Sequence, residues 1–228
     1  MNRSAGLVTT ASYQHHLHTP LSVFGAPLRQ ARVAVLLLHG RAQTPADMFD
    51  CIVRRLDLPD VAWLAPTASD NTWYPAPFME PRETNQPELD HALARVTALS
   101  ADLANEGFGL DRQVVMGFSQ GACLSCEYVW HSRQRYRALI ALTGGLIGPP
   151  GIHWDGAGRD FCGMPVFLSD RDDDPWVPAA RILETGAAFR VAGAQVSERI
   201  AAGSTHEVSA EEIAIVRTML LGAMERAR

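Results

Sequence analysis

The sequence predicts an α/β protein with one mostly parallel β-sheet that is covered by helices on both faces. Short apolar runs alternate with longer amphipathic segments from residue 33 to the C-terminus, which is typical of a doubly wound sheet. The run Val33–Leu38 is apolar at every position, as expected of a strand buried on both faces. The pentapeptide Gly117–Gly121 reads G-x-S-x-G and lies between a predicted strand and a predicted helix.

The first half of the chain supplies two strands and two helices. After the strand Val33–Leu38, the segment Pro45–Leu56 is a predicted helix with Thr44 as its N-cap and proline at its first position. Val61–Ala65 is the second buried strand, and a polar, proline-rich loop follows it. The helix Glu88–Glu106 then places apolar residues at spacings of three and four, and a glycine ends it.

The second half begins with the segment around the pentapeptide. Arg112–Met116 is a short β-prone run, and Ala122–Trp130 is a compact, mostly apolar helix. The elements that follow alternate in the same way, and the terminal helix begins with a capping box of Ser209 and Glu212. These elements are the strands Ala138–Thr143, Met164–Leu168 and Gln195–Ile200 and the helices Pro178–Val191 and Ser209–Glu225.

Residues 1–30 are expected to form an N-terminal edge hairpin or extension. Tyr13–His18 and Leu21–Leu28 are its candidate antiparallel strands. No linker rich in glycine, serine or proline divides the chain, and no internal repeat is present. We therefore expect a single domain over residues 1–228.

The composition argues against several classes of protein. The 228 residues are 47% hydrophobic and 20% charged, which supplies enough apolar material for a sizeable core. The net charge is −5 and no long basic run is present, so nucleic-acid binding is not expected. No stretch approaches the roughly eighteen apolar residues of a membrane helix, and the first residues lack the apolar core of a secretory signal. We expect a cytoplasmic protein without stable membrane association.

Neither the cysteines nor the N-terminal histidines predict a metal site. Cys123 and Cys126 form a C-x-x-C within the predicted helix after the pentapeptide, and no second suitably spaced pair follows. Two small residues that pack inward are the simpler interpretation. His15, His16 and His18 lack a third ligand in the sequence pattern. We therefore expect no metal and no cofactor.

Ser119, at the centre of the pentapeptide, is the candidate nucleophile. A serine in this setting occupies a sharp, strained turn that lifts its hydroxyl above the sheet. The hydroxyl needs a general base, and the base needs an orienting acid. His206 follows the last predicted strand, at the sheet edge where such groups are expected, and is the candidate base.

The orienting acid has several candidates, because four aspartates lie at positions 170–174 after another predicted strand. Asp174 is preferred because it directly precedes Pro-Trp-Val-Pro at the start of a helix. Asp172 is the alternative. With either residue the chain order is Ser, Asp, His, as in hydrolases with a nucleophile elbow.

Two backbone amides are candidates for an oxyanion hole. The N–H of Gln120 directly follows the nucleophile, where the helix dipole also favours negative charge. The N–H of Arg41 lies in the loop after the first strand. The Arg41 side chain has two interpretations, a solvated arginine or a ligand for an anionic substrate group, and the first is the simpler.

Aromatic residues near the same edge of the sheet are candidates for lining a substrate cleft. Trp73 and Tyr74 lie in the loop after the second strand, Phe118 precedes the nucleophile, and Trp176 follows the preferred acid. Ordinary loop packing is the alternative for all four residues.

Five segments together resemble the phospholipase/carboxylesterase family of α/β-hydrolases, which includes bacterial carboxylesterases and acyl-protein thioesterases. The motifs occur in the family's order over roughly residues 20 to 225, and GFSQGA and the HGR turn are the most specific. They are LLLHGRA (36–42), NTWYP (71–75), GFSQGA (117–122), SDRDDDPWVP (169–178) and GSTHEV (203–208).

The resemblance implies an α/β-hydrolase fold with little or no lid and hydrolysis of carboxylic esters, often with short acyl chains. Ser119, Asp174 and His206 match the family's triad, and Arg41 and Gln120 match its oxyanion amides. The chain departs from the family in a longer acid loop, where Trp176 replaces a common histidine. The segment Gly144–Cys162 also looks expanded.

The expected function is therefore a cofactor-free serine esterase that acts on a small-molecule ester through an acyl-enzyme. A thioesterase, lysophospholipase or lactone hydrolase with the same residues is the alternative, because pocket shape chooses the leaving group. A non-catalytic hydrolase-like binding protein is the remote alternative. The sequence leaves open whether the chain forms a homodimer.

Overall fold

A computed structural model describes residues 16–225, and this part of the chain contains one seven-stranded sheet with the order β1-β3-β2-β4-β5-β6-β7. The first strand, at one edge, runs antiparallel to its neighbour, and all other neighbours are parallel. The strands are β1 (Leu21–Gly25), β2 (Val33–Leu38), β3 (Val61–Pro66), β4 (Gln113–Phe118), β5 (Ala138–Leu142), β6 (Pro165–Arg171) and β7 (Gln195–Ala201). The mostly parallel sheet predicted from the sequence is confirmed.

The helices lie between the strands in chain order, as predicted. They are α1 (Pro45–Met48), α2 (Arg54–Leu56), α3 (Glu88–Asn105), α4 (Gln120–Ser132), α5 (Ala179–Val191) and α6 (Ala210–Glu225). A π-helical turn, Phe49–Val53, joins α1 to α2, so the predicted helix Pro45–Leu56 exists with a wider turn at its centre. Thr44 caps α1 and forms a capping box with Asp47.

Two apolar layers cover the sheet. Along β2, Ala34, Leu36 and Leu38 face α3, α4 and α5, whereas the alternate residues face α1, α2 and α6. Successive side chains of a strand point to opposite faces, so a strand covered on both faces must be apolar throughout. This explains why six consecutive apolar residues form one central strand.

The chain reverses its direction of winding at β2. The strand that follows in sequence, β3, pairs on one side of β2, and β4 pairs on the other. In open α/β sheets the crevice at such a switch point, beyond the carboxyl ends of the strands, is where ligands bind. Leu38 and Gly117 pair across β2 and β4, so the loops that begin at residues 39 and 119 meet there.

Besides shifts of one or two residues at the ends of other elements, two differences from the sequence-based prediction stand out. Strand β6 extends to Arg171 rather than ending at Leu168, because its pairing with β7 continues to Ala201. At the N-terminus, β1 pairs with β3, and residues 16–18 form a turn rather than a strand of a hairpin. The rest of the predicted first hairpin strand, residues 13–15, lies outside the described residues.

No helix within residues 16–225 combines the length and the hydrophobicity needed to span a bilayer.

Candidate active site

Ser119 occupies a strained turn between β4 and α4. Its backbone has φ 53° and ψ −120°, a region that non-glycine residues rarely occupy. The glycines on both sides permit close backbone approach. A Cβ on Gly117 would overlap the Gly121 carbonyl, and a Cβ on Gly121 would overlap the carbonyl of Leu38 in β2. The turn therefore requires glycine at both positions, as the pentapeptide predicted.

A continuous chain of hydrogen bonds runs from Ser119 to a buried carboxylate. The Ser119 Oγ lies 2.8 Å from His206 Nε2, and His206 Nδ1 lies 2.7 Å from Asp174 Oδ2. The other oxygen, Asp174 Oδ1, accepts the backbone N–H groups of Trp176 and Val177 at 2.9 Å each. Because the carboxylate accepts the Nδ1 proton, Nε2 is the acceptor for the serine hydroxyl. The Asp174 side chain is fully buried.

Among the described residues, neither Asp170, near the end of β6, nor Asp172 and Asp173, in the acid loop that follows (residues 172–178), forms a hydrogen bond or ion pair with His206. Asp172 Oδ1 instead accepts the backbone N–H of Gly203 at 2.8 Å, which ties the acid loop to the loop that carries the histidine. Asp170 is buried within β6, and Asp173 is exposed. The geometry therefore favours Asp174, the preferred acid, over Asp172.

Asp170 is a buried carboxyl close to this site. Its Oδ1 accepts the N–H of Arg171 at 2.8 Å, and its Oδ2 is buried with no hydrogen-bond partner among the described residues. Burial, together with the negative charges of Asp174 and Glu212, raises the pKa of Asp170 to about 7. The sequence placed this residue in a loop, so its burial was not anticipated.

The backbone leaves two N–H groups beside Ser119 without a partner. Among the described residues, neither Arg41 N–H nor Gln120 N–H donates to another group of the chain. The neighbouring amides are occupied. The N–H of Gly40 donates to the Gln43 side chain, and the N–H of Ala42 donates to a carbonyl in the loop after β3. Both predicted oxyanion amides thus remain available for a ligand.

The side chains of the same two residues hold the loop after β3 against the site. Gln120 Oε1 accepts the N–H of Trp73 at 3.0 Å, and its Nε2 donates to the Tyr74 carbonyl at 2.8 Å. Arg41 Nη2 donates to the carbonyls of Tyr74 and Ala76, at 2.9 and 3.2 Å. The arginine therefore clamps a loop, which differs from both interpretations offered by the sequence.

A buried histidine, His39, supports this region and was not singled out from the sequence. Its Nε2 accepts the N–H of Ala68, so its Nδ1 carries the proton and donates to the Gly40 carbonyl at 2.7 Å. Burial lowers the pKa of His39, which favours this neutral form. Its position directly after a buried central strand was the available signal.

Trp73 lies beneath the cleft rather than on its wall, which corrects the expectation for this residue. Its side chain is fully buried, its Nε1 donates to the His39 carbonyl at 2.8 Å, and the two rings lie 4.9 Å apart. A buried indole N–H needs such an acceptor, and the His39 carbonyl in the loop after β2 supplies it.

A cavity of about 480 Å³ opens over Ser119. Tyr74 and Trp176, two of the predicted cleft residues, line it, and Trp176 stands at its rim with 73% of its surface exposed. Most of the remaining wall is apolar and comes from the loop after β3 and the start of α5. These further lining residues include Pro75, Pro77, Phe78, Cys123 and Val177.

Phe118 lies on the opposite side of His206, which corrects the expectation that it lines the same cleft. Its ring lies 5.2 Å from the imidazole and borders a separate cavity of about 500 Å³. Successive residues of β4 point to opposite faces of the sheet, so Phe118 packs with the α1 and α6 layer.

The cysteines of the C-x-x-C lie on α4 and are buried against the rest of the protein, as the simpler interpretation predicted. Cys123 and Cys126 are both buried, and burial raises the pKa of the Cys123 thiol to about 12. The residues described by the structure contain no group of three or more His, Cys, Asp or Glu side chains arranged to hold a metal ion.

A strained serine elbow at the switch point of a mostly parallel, doubly covered sheet defines the α/β-hydrolase class. Within this class, the chain belongs to the phospholipase/carboxylesterase family, whose model matches residues 22–222. It is accordingly an ester-hydrolysing enzyme of the carboxylesterase type.

Solved structures agree with this assignment. A phospholipase/carboxylesterase from Dyadobacter fermentans is 37% identical, with a TM-score of 0.80 over 90% of this chain and 98% of its own. Esterase PE8 is 22% identical (TM-score 0.73, 91% and 99% coverage), and a carboxylesterase from Mesorhizobium loti is 20% identical (0.69, 90% and 96%). The last two show a shared fold. No curated protein matches the chain.

Proposed function

We propose that this enzyme hydrolyses carboxylic esters of short acyl chains through a covalent acyl-enzyme on Ser119. His206 acts as the general base and acid, and Asp174 orients it. The observation that carries the proposal is the unbroken hydrogen-bond chain from the serine hydroxyl to the buried Asp174 carboxylate, with distances of 2.8 and 2.7 Å.

In the acylation step, His206 Nε2 takes the proton of the Ser119 hydroxyl as Oγ attacks the ester carbonyl carbon. The carbonyl oxygen becomes negative and accepts hydrogen bonds from the N–H groups of Arg41 and Gln120, which no other described residue uses. Collapse of the tetrahedral intermediate breaks the bond to the leaving alcohol, and His206 returns the proton to the alkoxide oxygen.

In the deacylation step, His206 takes a proton from water while the water oxygen attacks the acyl carbon. The second tetrahedral intermediate uses the same two amides, and its collapse returns the proton to Ser119 Oγ and releases the carboxylic acid. Asp174 stabilises the imidazolium in both steps, because its second oxygen is held by two backbone N–H groups and cannot rotate away.

The apolar wall of the cavity suits an acyl chain, which Tyr74 and Trp176 would contact together with the prolines of the loop after β3. Thioesters, lysophospholipids and lactones can enter the same mechanism. We favour simple esters of small molecules because the cavity is of modest size and predominantly apolar. No step needs a metal or an organic cofactor.

The test is hydrolysis of p-nitrophenyl esters by the wild type and by Ser119→Ala. We expect kcat/KM to fall by on the order of 10⁴-fold or more in the variant, because the nucleophile is lost while the amides remain. Ser132→Ala, at the other end of α4, is the matched control and should keep full activity.

Labelling by a fluorophosphonate gives a second readout. One label per chain is expected in the wild type and none in Ser119→Ala. Equal turnover by the two proteins would contradict the serine mechanism. Absence of both turnover and labelling in the wild type would favour a non-catalytic binding protein.

A further inference from the structure

Two residues of α4, Gln120 and Cys123, line the cavity over Ser119. Cys123 lies one turn after the nucleophile. Glu127, in the next turn, is buried and accepts the N–H of Ile147 at 3.4 Å, so the segment after β5 covers α4 at this point. Along α4 the lining of the cavity thus ends at Cys123, one turn or about 5.4 Å beyond the nucleophile.

Phe78 forms part of the apolar wall of the cavity. It borders the cavity, yet only 8% of its surface is exposed. Its carbonyl accepts the N–H of Gly148 at 2.9 Å, which attaches its backbone to the segment after β5. The ring thus stands between the cavity and a region of the protein that is already filled.

Arg181, from α5, packs behind Phe78. Its side chain is fully buried, and its guanidinium carbon lies 5.7 Å from the Phe78 ring and 5.0 Å from the Trp154 ring. Its Nη1 donates to the carbonyls of Leu146 and Gly148 at 2.8 Å each.

The same guanidinium is held from two further sides. Its Nη2 donates to the Pro149 carbonyl at 3.3 Å, and its Nε donates to Glu184 Oε2 at 2.8 Å. A buried guanidinium is stable only while its donors are paired, so Arg181 cannot easily move to let Phe78 rotate. The wall is therefore rigid.

We propose that Phe78, supported by the buried Arg181, is the specificity-determining residue that limits the enzyme to short acyl chains. The proposal rests on ester hydrolysis at Ser119 and adds the structural origin of its chain-length limit. A longer chain must displace the ring from the guanidinium and from the segment 146–149. Shortening the side chain removes this obstacle without touching the serine, the histidine or either amide.

The experiment compares p-nitrophenyl butanoate with p-nitrophenyl octanoate. For Phe78→Ala we expect the ratio of kcat/KM for octanoate to that for butanoate to rise at least about tenfold over the wild-type ratio, since each methylene that gains apolar contact is worth a large factor. Phe78→Leu should raise the ratio by about threefold. Phe24→Ala is the matched control, because Phe24 packs against Phe49 on the other face of the sheet, and it should leave the ratio unchanged.

An unchanged ratio in a folded Phe78→Ala protein, with a wild-type circular dichroism spectrum, overturns the proposal. If Phe78→Ala does not fold, the Phe78→Leu ratio decides, and a value equal to that of the wild type overturns it in the same way. A wild type that cleaves neither ester and takes up no fluorophosphonate contradicts the proposed function itself. The experiment therefore distinguishes a wrong assignment of Phe78 from a wrong catalytic mechanism.

Discussion

At the scale of single residues, hydrogen-bond partners distinguish two aspartates, Asp172 and Asp174, that share one loop and look alike in the sequence. Asp174 uses one oxygen for His206 Nδ1 and the other for two backbone amides. Asp172 uses its oxygen to join two loops through Gly203. In the proposed mechanism the first arrangement orients the general base, whereas the second joins the loop after β6 to the loop that carries His206.

This distinction predicts the effects of two matched substitutions. Asp174→Asn should reduce kcat by about 10³–10⁴-fold, because the amide disfavours the Nδ1–H tautomer of His206. Asp172→Asn should reduce kcat by less than about tenfold, because the asparagine oxygen can still accept the Gly203 N–H. Turnover of p-nitrophenyl butanoate measures both. A larger loss of kcat in Asp172→Asn than in Asp174→Asn would contradict this assignment and indicate that Asp172 orients the histidine.

At the scale of elements, the crossing of α4 over β2 positions the nucleophile. The first turn of α4 lies so close to the end of β2 that no Cβ fits at Gly121. This approach brings the Gln120 amide and the loop after β2 to the same side of Ser119. The pentapeptide thus forms the turn and also permits the close packing of α4 against β2.

Gly121→Ala should therefore be strongly destabilising, by about 3 kcal/mol, because the methyl group meets main-chain atoms that cannot be moved cheaply. Gly151→Ala is the control. Gly151 has φ 79° but open space around it, so alanine there costs only backbone strain of about 1 kcal/mol. Urea unfolding measures both free energies. Equal losses would contradict the prediction, because Gly121 has no positive φ and only the close approach can make its substitution the costlier one.

At the scale of the whole molecule, buried ionisable groups make the stability depend on pH. The raised pKa of Asp170, about 7, means that the folded protein retains a proton which the unfolded chain releases near pH 4. The contribution of this proton to the free energy of unfolding is fully present below about pH 4 and is lost as the pH rises through about 7. His39 acts in the opposite direction, because its lowered pKa favours unfolding in acid.

Asp170→Asn should consequently stabilise the protein at pH 8 but not at pH 4. The asparagine carries no charge to bury. The difference in melting temperature, variant minus wild type, should therefore be a few degrees larger at pH 8 than at pH 4. Asp173→Asn, at an exposed position of the loop that follows β6, is the control and should show no such trend. Calorimetry at both pH values measures the difference, and a pH-independent offset for Asp170→Asn would contradict the prediction.

Much of the secondary structure was predictable because its signals are local. The all-apolar run of β2, the Thr44 cap and the Ser209–Glu212 capping box all involve neighbouring residues. The end of β6 was not predictable, because its last residues are polar and join the strand only through pairing with β7. A polar residue buried by its pairing partner leaves no periodic pattern along the chain.

The sequence alone was sufficient for the order of strands and helices, for the elbow at Ser119 and for the Ser, Asp, His order. These features depend on contiguous residues, whose periodicity and turn chemistry can be read directly. Only the tertiary structure separates Asp174 from Asp172, turns Trp73 and Phe118 away from the cleft, and sets Phe78 against Arg181. Those outcomes depend on loops far apart in the chain that the sheet brings together, and their contacts have no local signature.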